Sequence, residues 1–184
     1  MPAHFSPAPG VWGARLNLGR FVIDLAATTT SELGFGWYAT PNAPSTAQQL
    51  IGAYEHSVRT GEPYPVSSLF CESTIFTEPH INHAYRYVHD CSHRKLGLSF
   101  TLEDEWHLGT YHLAQAEEAG LGPGSREHEL LRCDIFGQLM LLGVAGRFPI
   151  DQGVFALECF ELGIEAGLLR ELRRIVPPSE GSAA

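Results

Sequence analysis

From Ser45 onward the apolar and polar positions of the chain follow the spacing of helices. Residues that can cap a first turn precede the apolar segments, and glycine or proline follows them. The pattern predicts about five helices joined by short connections, which is typical of a compact α-helical bundle. The predicted helices begin near Ser45, Thr77, Thr101, Ser125 and Asp151.

The two ends of the chain have a different pattern. Residues 1–45 are rich in proline, serine and threonine and contain two β-like runs, 20–27 and 34–40. They predict an irregular N-terminal arm with room for one short β-hairpin. The last residues, 177–184, predict a disordered tail. The predicted fold is therefore all-α, with a single helical domain over residues 46–176.

The composition fits one globular domain. Of 184 residues, 44% are hydrophobic and 18% are charged, so the chain is long enough to bury a core without disulfide or metal staples. No apolar run is long enough to cross a bilayer. The N-terminus also lacks the basic-then-apolar order of a secretory signal. We expect a cytoplasmic protein without a membrane span.

Charge and cysteine usage narrow the classes of partner and site. A net charge of −9 with only 12 lysines and arginines argues against nucleic acid, because binding to phosphates requires basic side chains. We expect a small-molecule partner instead. The four cysteines are far apart and form no CxxC pair, which predicts reduced, mostly buried thiols. These are Cys71, Cys91, Cys133 and Cys159.

The predicted helix over 77–97 has a titratable face. At about 100° per residue, His89, Asp90 and His93 fall within one arc, and His83 lies about two turns before Asp90. Two imidazoles four residues apart can bind one ion from the same side of a helix. A carboxylate beside them adds an oxygen ligand or orients a histidine. The opposite arc is apolar and carries Ile81, Ala84, Val88 and Cys91.

The next helix can complete such a site. A short turn folds it back alongside the first, and Glu105 and His112 are seven residues apart, hence on one face. Both can approach His89 and His93. A closed or nearly closed set of metal ligands is therefore available from the two helices.

This stretch resembles the motif of a family of coenzyme Q (ubiquinone) biosynthesis proteins, HDxxH followed by eleven residues and glutamate. Residues 89–93 read His-Asp-Cys-Ser-His, and Glu105 follows after eleven residues. Tyr85 and Arg86, before the motif, are also similar. The resemblance implies a divalent metal, with zinc the expected ion. Its implied ligands are His89, Asp90, His93 and Glu105.

The resemblance further implies an all-helical enzyme that acts on the head group of a prenylated aromatic precursor, by oxidative decarboxylation. In this interpretation the ion is a Lewis acid or lowers the pKa of bound water. His83 or His112 would carry protons. Arg86, on the same stripe, would meet an anionic group of a small aromatic or anionic substrate.

Two other functions remain open from the residues alone. A phosphohydrolase of the HD type would use His56, the pair His89–Asp90 and Asp134 to cleave a nucleotide or phosphate ester. A non-enzymatic acidic helical adaptor would have a closed structural metal site, or none. Asp134 and Gln138, four apart on an apolar helix, predict either support for the metal ligands or hydrogen bonds between helices.

Overall fold

The computed structural model describes residues 10–174, which contain seven helices and two short strands. The predicted all-α class is confirmed, and these residues form one domain. The elements are α1 (Val11–Leu33), β1 (Trp37–Thr40), α2 (Ala47–Thr60), β2 (Tyr64–Ser67), α3 (Pro79–Leu96), α4 (Leu102–Glu118), α5 (Arg126–Ala145), α6 (Gln152–Leu162) and α7 (Ile164–Leu172).

Helix α1 contradicts the prediction that residues 1–45 form an irregular arm. It runs without a break through residues 20–27, which have β-like composition. Burial of one apolar stripe at helical spacing outweighs that local preference. The buried residues of the stripe include Val11, Ala14, Leu18, Val22 and Ala26. Residues 1–9 of the arm and the predicted tail, 177–184, lie outside the described residues.

The two strands do not form the hairpin that the sequence allowed. β1 pairs with β2 in parallel, with Trp37 opposite Tyr64 and Thr40 opposite Ser67. Parallel strands need a crossover connection, and α2 provides it. Of the two β-like runs, only the end of 34–40 becomes a strand.

Most of the predicted helix starts are correct. Side chains of Thr46, Thr101, Ser125 and Asp151 accept the backbone N–H three residues ahead. Helix α3 differs by one position, because Glu78 rather than Thr77 is its N-cap residue.

The last predicted helix is two helices. Gly163 separates α6 from α7 with φ 88° and ψ 151°. Glycine adopts this backbone conformation without the steric cost that a Cβ would bring. The sequence between Asp151 and Pro177 therefore forms a bent pair of helices instead of one.

The core lies around α5, which packs against α1, α4, α6 and α7. Gly109 permits the close approach of α4, because a Cβ at this position would lie 2.6 Å from Cγ2 of Ile135. On the other side of the core, Tyr87 is fully buried and donates its hydroxyl to the carbonyl oxygen of Phe35 over 2.7 Å. The four cysteines are free and buried.

Arginines hold the two buried glutamates at the α6–α7 end of the domain. Glu171 accepts from Nη1 of Arg147 at 2.8 Å and from the backbone N–H of Ile150 at 2.9 Å. Glu158 accepts from Nη2 of Arg174 at 2.7 Å. Each buried carboxylate is thus paired with a cation, the arrangement that makes burial of charge tolerable.

Arg15 fixes the connection between β2 and α3. Its guanidinium donates to three successive carbonyl oxygens, those of Thr74, Ile75 and Phe76, at 3.1, 2.8 and 2.8 Å. The same connection is tied to α6 by the backbone N–H of Gly153, which donates to the carbonyl of Ser73. These contacts set the position of Thr74, which lines the cavity described below.

Replacing Arg15 by methionine should lower the free energy of unfolding by about 3 kcal/mol, because three carbonyls lose a charged donor. Urea unfolding followed by circular dichroism measures the change. Arg20→Met is the matched control, since Arg20 is exposed on the same helix, and it should change stability by less than about 0.5 kcal/mol. Equal losses in the two variants would contradict this role of Arg15.

Candidate metal centre and adjoining cavity

A tight reversal between α3 and α4 creates the candidate site. Gly97 ends α3 with φ 68°, and the backbone N–H of Leu98 returns to the carbonyl of His93. The N–H of Ser99 donates to Asp104 at 2.8 Å, while Thr101 caps α4. The first turn of α4 is therefore placed beside the last turns of α3.

Three of the four predicted metal ligands meet at this junction. Nε2 of His93 lies 3.2 Å from Nε2 of His89. Glu105 places one carboxylate oxygen 3.4 Å from His89 Nε2 and the other 3.3 Å from His93 Nε2. His89, His93 and Glu105 form the one group of three or more potential metal ligands found within residues 10–174.

The spacing of these donor atoms fits a transition-metal ion. Ligand atoms bound to a tetrahedral zinc lie about 3.3–3.4 Å from one another, given the usual zinc–nitrogen and zinc–oxygen distances. The two ring nitrogens are 3.2 Å apart, and they lie 3.4 and 3.3 Å from two different oxygens of Glu105. With one donor atom taken from each residue, the three atoms lie within 4.8 Å of one another. Two imidazoles with one carboxylate is a ligand set of catalytic zinc sites, and it also suits ferrous iron.

The electrostatics of the group favour a cation. Burial alone raises the pKa of Glu105, but hydrogen bonds from His89 and His93 outweigh burial and lower it to about 2. Burial likewise lowers the pKa of His89, yet the hydrogen bond and charge of Glu105 raise it above its usual value. The junction thus stabilises positive charge, supplied either by protons on the imidazoles or by a metal ion.

Within the described chain, the two imidazoles are held at their Nδ1 side by ring packing and not by a hydrogen bond. Nδ1 of His89 and Nδ1 of His93 are buried without a partner among the described residues, whereas ligating histidines usually donate this N–H to an oxygen. Instead, the ring of His93 lies edge-on to that of Phe100, with 4.8 Å between the ring centroids. The rings of His89 and Tyr85 are tilted against each other, with 6.1 Å between their centroids.

Asp90, the fourth predicted ligand, lies apart from the other three. Its Oδ2 accepts from the hydroxyl of Tyr64, in β2, at 3.3 Å. The next position on a helix is turned by about 100°, so Asp90 faces the sheet while His89 faces α4. Burial raises the pKa of Asp90 above its usual value. The expected set of four side chains is thus reduced to three by the structure.

A cavity of about 430 Å³ opens beside the three ligands. Its walls come from α3, α4 and α5, with Thr74, Phe148 and Gln152 at further positions. His89 and Glu105 line it, whereas His93 lies behind them with only 1% of its side chain exposed. One side of the three-residue group therefore faces space that a small molecule can fill.

Two of the three predicted catalytic residues line this cavity. Arg86 does so while its Nη1 donates to the carbonyls of Ser67 and Leu69 at 2.8 Å. His112 is the second. His83 is not among the residues that line the cavity within the described chain. Burial, followed by the charge of Arg86, lowers the pKa of His83.

His112 is held as a neutral imidazole with one free acceptor. Its Nδ1 is 3.0 Å from Oε1 of Gln115, an oxygen that can only accept, so the proton is on Nδ1. Burial and then the charge of His89 lower its pKa to about 3. Nε2 is buried without a partner among the described residues. Nε2 of His112 can therefore accept a hydrogen bond from a bound molecule, while the lowered pKa makes the ring a weak base.

Asp134 and Gln138 form a polar pair on the α5 wall of the cavity. Nε2 of Gln138 donates to Oδ1 of Asp134 at 2.9 Å, so the bond stays within one helix. Within the described chain the pair makes no hydrogen bond to another helix. It also makes no hydrogen bond to His89, His93 or Glu105, so neither the interhelical bond nor the support for the metal ligands that the sequence predicted is seen. Burial raises the pKa of Asp134 to about 7.

The residues of the HD-type interpretation are not brought together. His56 is on the surface of α2, where its Nε2 lies 2.7 Å from Glu62. Neither His56 nor Asp134 belongs to the group formed by His89, His93 and Glu105 within the described residues. The order of these residues in the sequence therefore does not correspond to a site in space.

Comparisons of the chain with known protein families, with curated proteins and with solved structures give no match. Within residues 10–174, no helix combines the length and apolar character needed to cross a bilayer.

Asp134→Asn should stabilise the protein more at pH 8 than at pH 5. Because burial raises the pKa of Asp134 to about 7, the folded protein keeps a proton that the unfolded chain releases near pH 4. Wild-type stability therefore falls as the pH rises through this window, and asparagine removes that loss. Between pH 5 and 8 the difference should be about 2–3 kcal/mol.

Urea unfolding of both proteins at the two pH values measures this difference, and all other titrating groups cancel in the comparison. The same stability difference at pH 5 and pH 8 would show that the Asp134 carboxyl is not shielded from water in the folded protein.

Proposed function

We propose that this protein is a metalloenzyme that binds one divalent ion, with zinc as the expected metal, through His89, His93 and Glu105. Its substrate is a small aromatic or anionic molecule that enters the adjoining cavity. The observation that carries the proposal is the convergence of three donor side chains, two of which, His89 and Glu105, line that cavity. An ion held there supplies Lewis-acid chemistry.

The number of ligands supports a catalytic over a structural site. Structural zinc is usually enclosed by four protein ligands, while catalytic zinc has three and an open position. Here three side chains converge, and Asp90, the fourth residue of the motif, is bonded to Tyr64. His89 and Glu105 also retain 28% and 19% side-chain exposure. An acidic adaptor with a closed site is therefore the less favoured function.

Unpaired polar atoms in the cavity wall also support a bound molecule. Nε2 of His112 and Nδ2 of Asn82 are buried without partners among the described residues, and both residues line the cavity. Folded proteins rarely leave such atoms unsatisfied. A ligand that donates to His112 and accepts from Asn82 would pair both of them.

The reaction class is proposed from these positions together with the motif. Arg86 provides positive charge at the cavity wall for a carboxylate or another anionic group. Nε2 of His112 can accept a hydrogen bond in the same space. The similarity of residues 89–93 and Glu105 to the ubiquinone-biosynthesis motif supports a decarboxylase-like reaction on an aromatic acid. Phosphate-ester hydrolysis is the alternative, and it lacks support from His56.

His93→Ala should reduce bound zinc from about one ion per chain to well under half, because one of three ligands is lost. Elemental analysis of chelator-washed and reloaded protein measures zinc and iron together. The zinc-loaded wild type should release carbon dioxide from a hydroxylated benzoate, and His93→Ala should not.

His80→Ala is the matched control, since His80 is exposed on the same helix; it should leave metal content unchanged. Unchanged metal in His93→Ala would remove the metal site from consideration. Release of phosphate from nucleotides, without carbon dioxide release, would favour the hydrolase alternative instead.

Two acid-to-amide substitutions distinguish the three ligands that converge in the structure from the four that the motif implies, which include Asp90. Glu105→Gln should weaken zinc binding by more than about a hundredfold, beyond the roughly 10–100-fold loss expected for an outer contact. Asp90→Asn should retain zinc, because Asp90 faces Tyr64. Competition with a zinc-binding dye measures both affinities. Equal weakening in the two variants would make Asp90 a ligand as well, and loss in Asp90→Asn alone would contradict the observed geometry.

A further inference from the structure

Asp134 differs from every other buried carboxylate of the described residues. Glu158, Glu171 and Asp134 are the three acidic residues buried there. Arginines bind the first two. Asp134 has 8% exposure and makes no ion pair within residues 10–174; its one hydrogen bond there comes from Gln138.

The surroundings of Asp134 make this lack of a partner costly. On the same wall of the cavity lie Ile135, Leu139 and Leu142, which cannot solvate a carboxylate. A buried carboxyl group without a cation or several donors is unfavourable for folding. Gln138 supplies one donor from the same helix, so the pair does not hold two helices together. Its position in the cavity is the feature that accounts for a carboxyl group here.

We propose that Asp134 and Gln138 form a second binding subsite of the cavity, which takes a hydrogen-bond donor of the ligand, a hydroxyl or an amino group. The proposal rests on the function proposed above, because the remainder of that ligand reaches His89 and Glu105 in the same cavity. The ligand class is therefore a small, largely apolar molecule with a hydroxyl or amino group opposite its metal-facing end.

The chemistry of the pair matches such a donor. The Asp134 carboxylate oxygen that does not bond Gln138 and the amide oxygen of Gln138 are both acceptors. Aromatic rings of Tyr85, Phe100 and Phe148 line other parts of the cavity and suit an apolar body. Burial raises the pKa of Asp134 to about 7, so a donor in contact with it stabilises the charged form that burial penalises.

Three compounds of similar shape test the subsite: benzyl alcohol, benzylamine and toluene. Their dissociation constants are measured by ligand-observed NMR with zinc-loaded and chelator-washed protein, for the wild type and Asp134→Asn. We expect Asp134→Asn to weaken at least one of the two polar compounds about tenfold or more, as for a charge-assisted hydrogen bond. Toluene should change by less than about twofold.

The compounds whose affinity falls in Asp134→Asn identify the donor. If only benzylamine binds more weakly, the subsite takes a cationic amine; if only benzyl alcohol does, it takes a neutral hydroxyl. Asp24→Asn, the same substitution at an exposed residue of α1 outside the cavity lining, is the control and should leave all three affinities within about twofold. Unchanged binding of both polar compounds by Asp134→Asn, or an equal loss of toluene, overturns the proposal.

A second measurement does not depend on the variant. In the wild-type protein, the side-chain amide resonances of Gln138 should shift with a polar compound and remain in place with toluene; no shift with either polar compound contradicts the subsite. Zinc content is measured in the same samples. Wild-type protein without bound metal refutes the metalloenzyme, whereas normal zinc content with no role for Asp134 refutes the subsite alone.

Discussion

The carboxylate of Glu105, placed between the imidazoles of His89 and His93, is the interaction on which the site depends. Two ring nitrogens and two carboxylate oxygens lie within 3.4 Å of their neighbours, an arrangement that favours protons or a cation among them. The backbone is arranged to bring them together. The reversal at Gly97, the hydrogen bond from the N–H of Ser99 to Asp104 and the cap at Thr101 place the first turn of α4 against the end of α3. The three side chains therefore come from both sides of one turn.

The buried acidic residues of the domain have two kinds of partner, arginines for the glutamates and an amide for Asp134. At the α6–α7 end, Glu158 and Glu171 are neutralised by arginines and join helices that would otherwise separate. In the cavity, Asp134 is left with an amide from its own helix. The first arrangement offsets the cost of burying charge within the protein, while the second leaves Asp134 with one hydrogen bond and no ion pair among the described residues.

Local signals in the sequence predict much of the helical domain and part of the site. The side-chain caps at Thr46, Thr101, Ser125 and Asp151 depend on neighbouring residues, so they are readable from the chain. The i, i+4 spacing of His89 and His93 and the short turn before Glu105 are local in the same sense. The predictions fail where tertiary packing decides: α1 is helical because its stripe is buried, against the β preference of residues 20–27.

The same limit applies to individual side chains. Asp90 is next to His89 in sequence, but the partner that holds it, Tyr64, comes from a strand 26 residues away. The polar pair on α5 was recognisable as an anomaly in an apolar helix, yet its direction, into the cavity and not toward another helix, depends on how α4 and α5 pack. The bend at Gly163 likewise reflects a conformation that glycine permits without requiring it.

The burial of the thiols has a practical consequence for following motions of the site. Burial raises the pKa values of Cys91, Cys133 and Cys159 above the usual range, so these groups are protonated and poorly nucleophilic while the domain is closed. Cys91 belongs to the same helix as the two imidazoles, and the other two belong to α5 and α6. The rate at which each reacts with a disulfide reagent therefore reports how often its own helix opens to solvent.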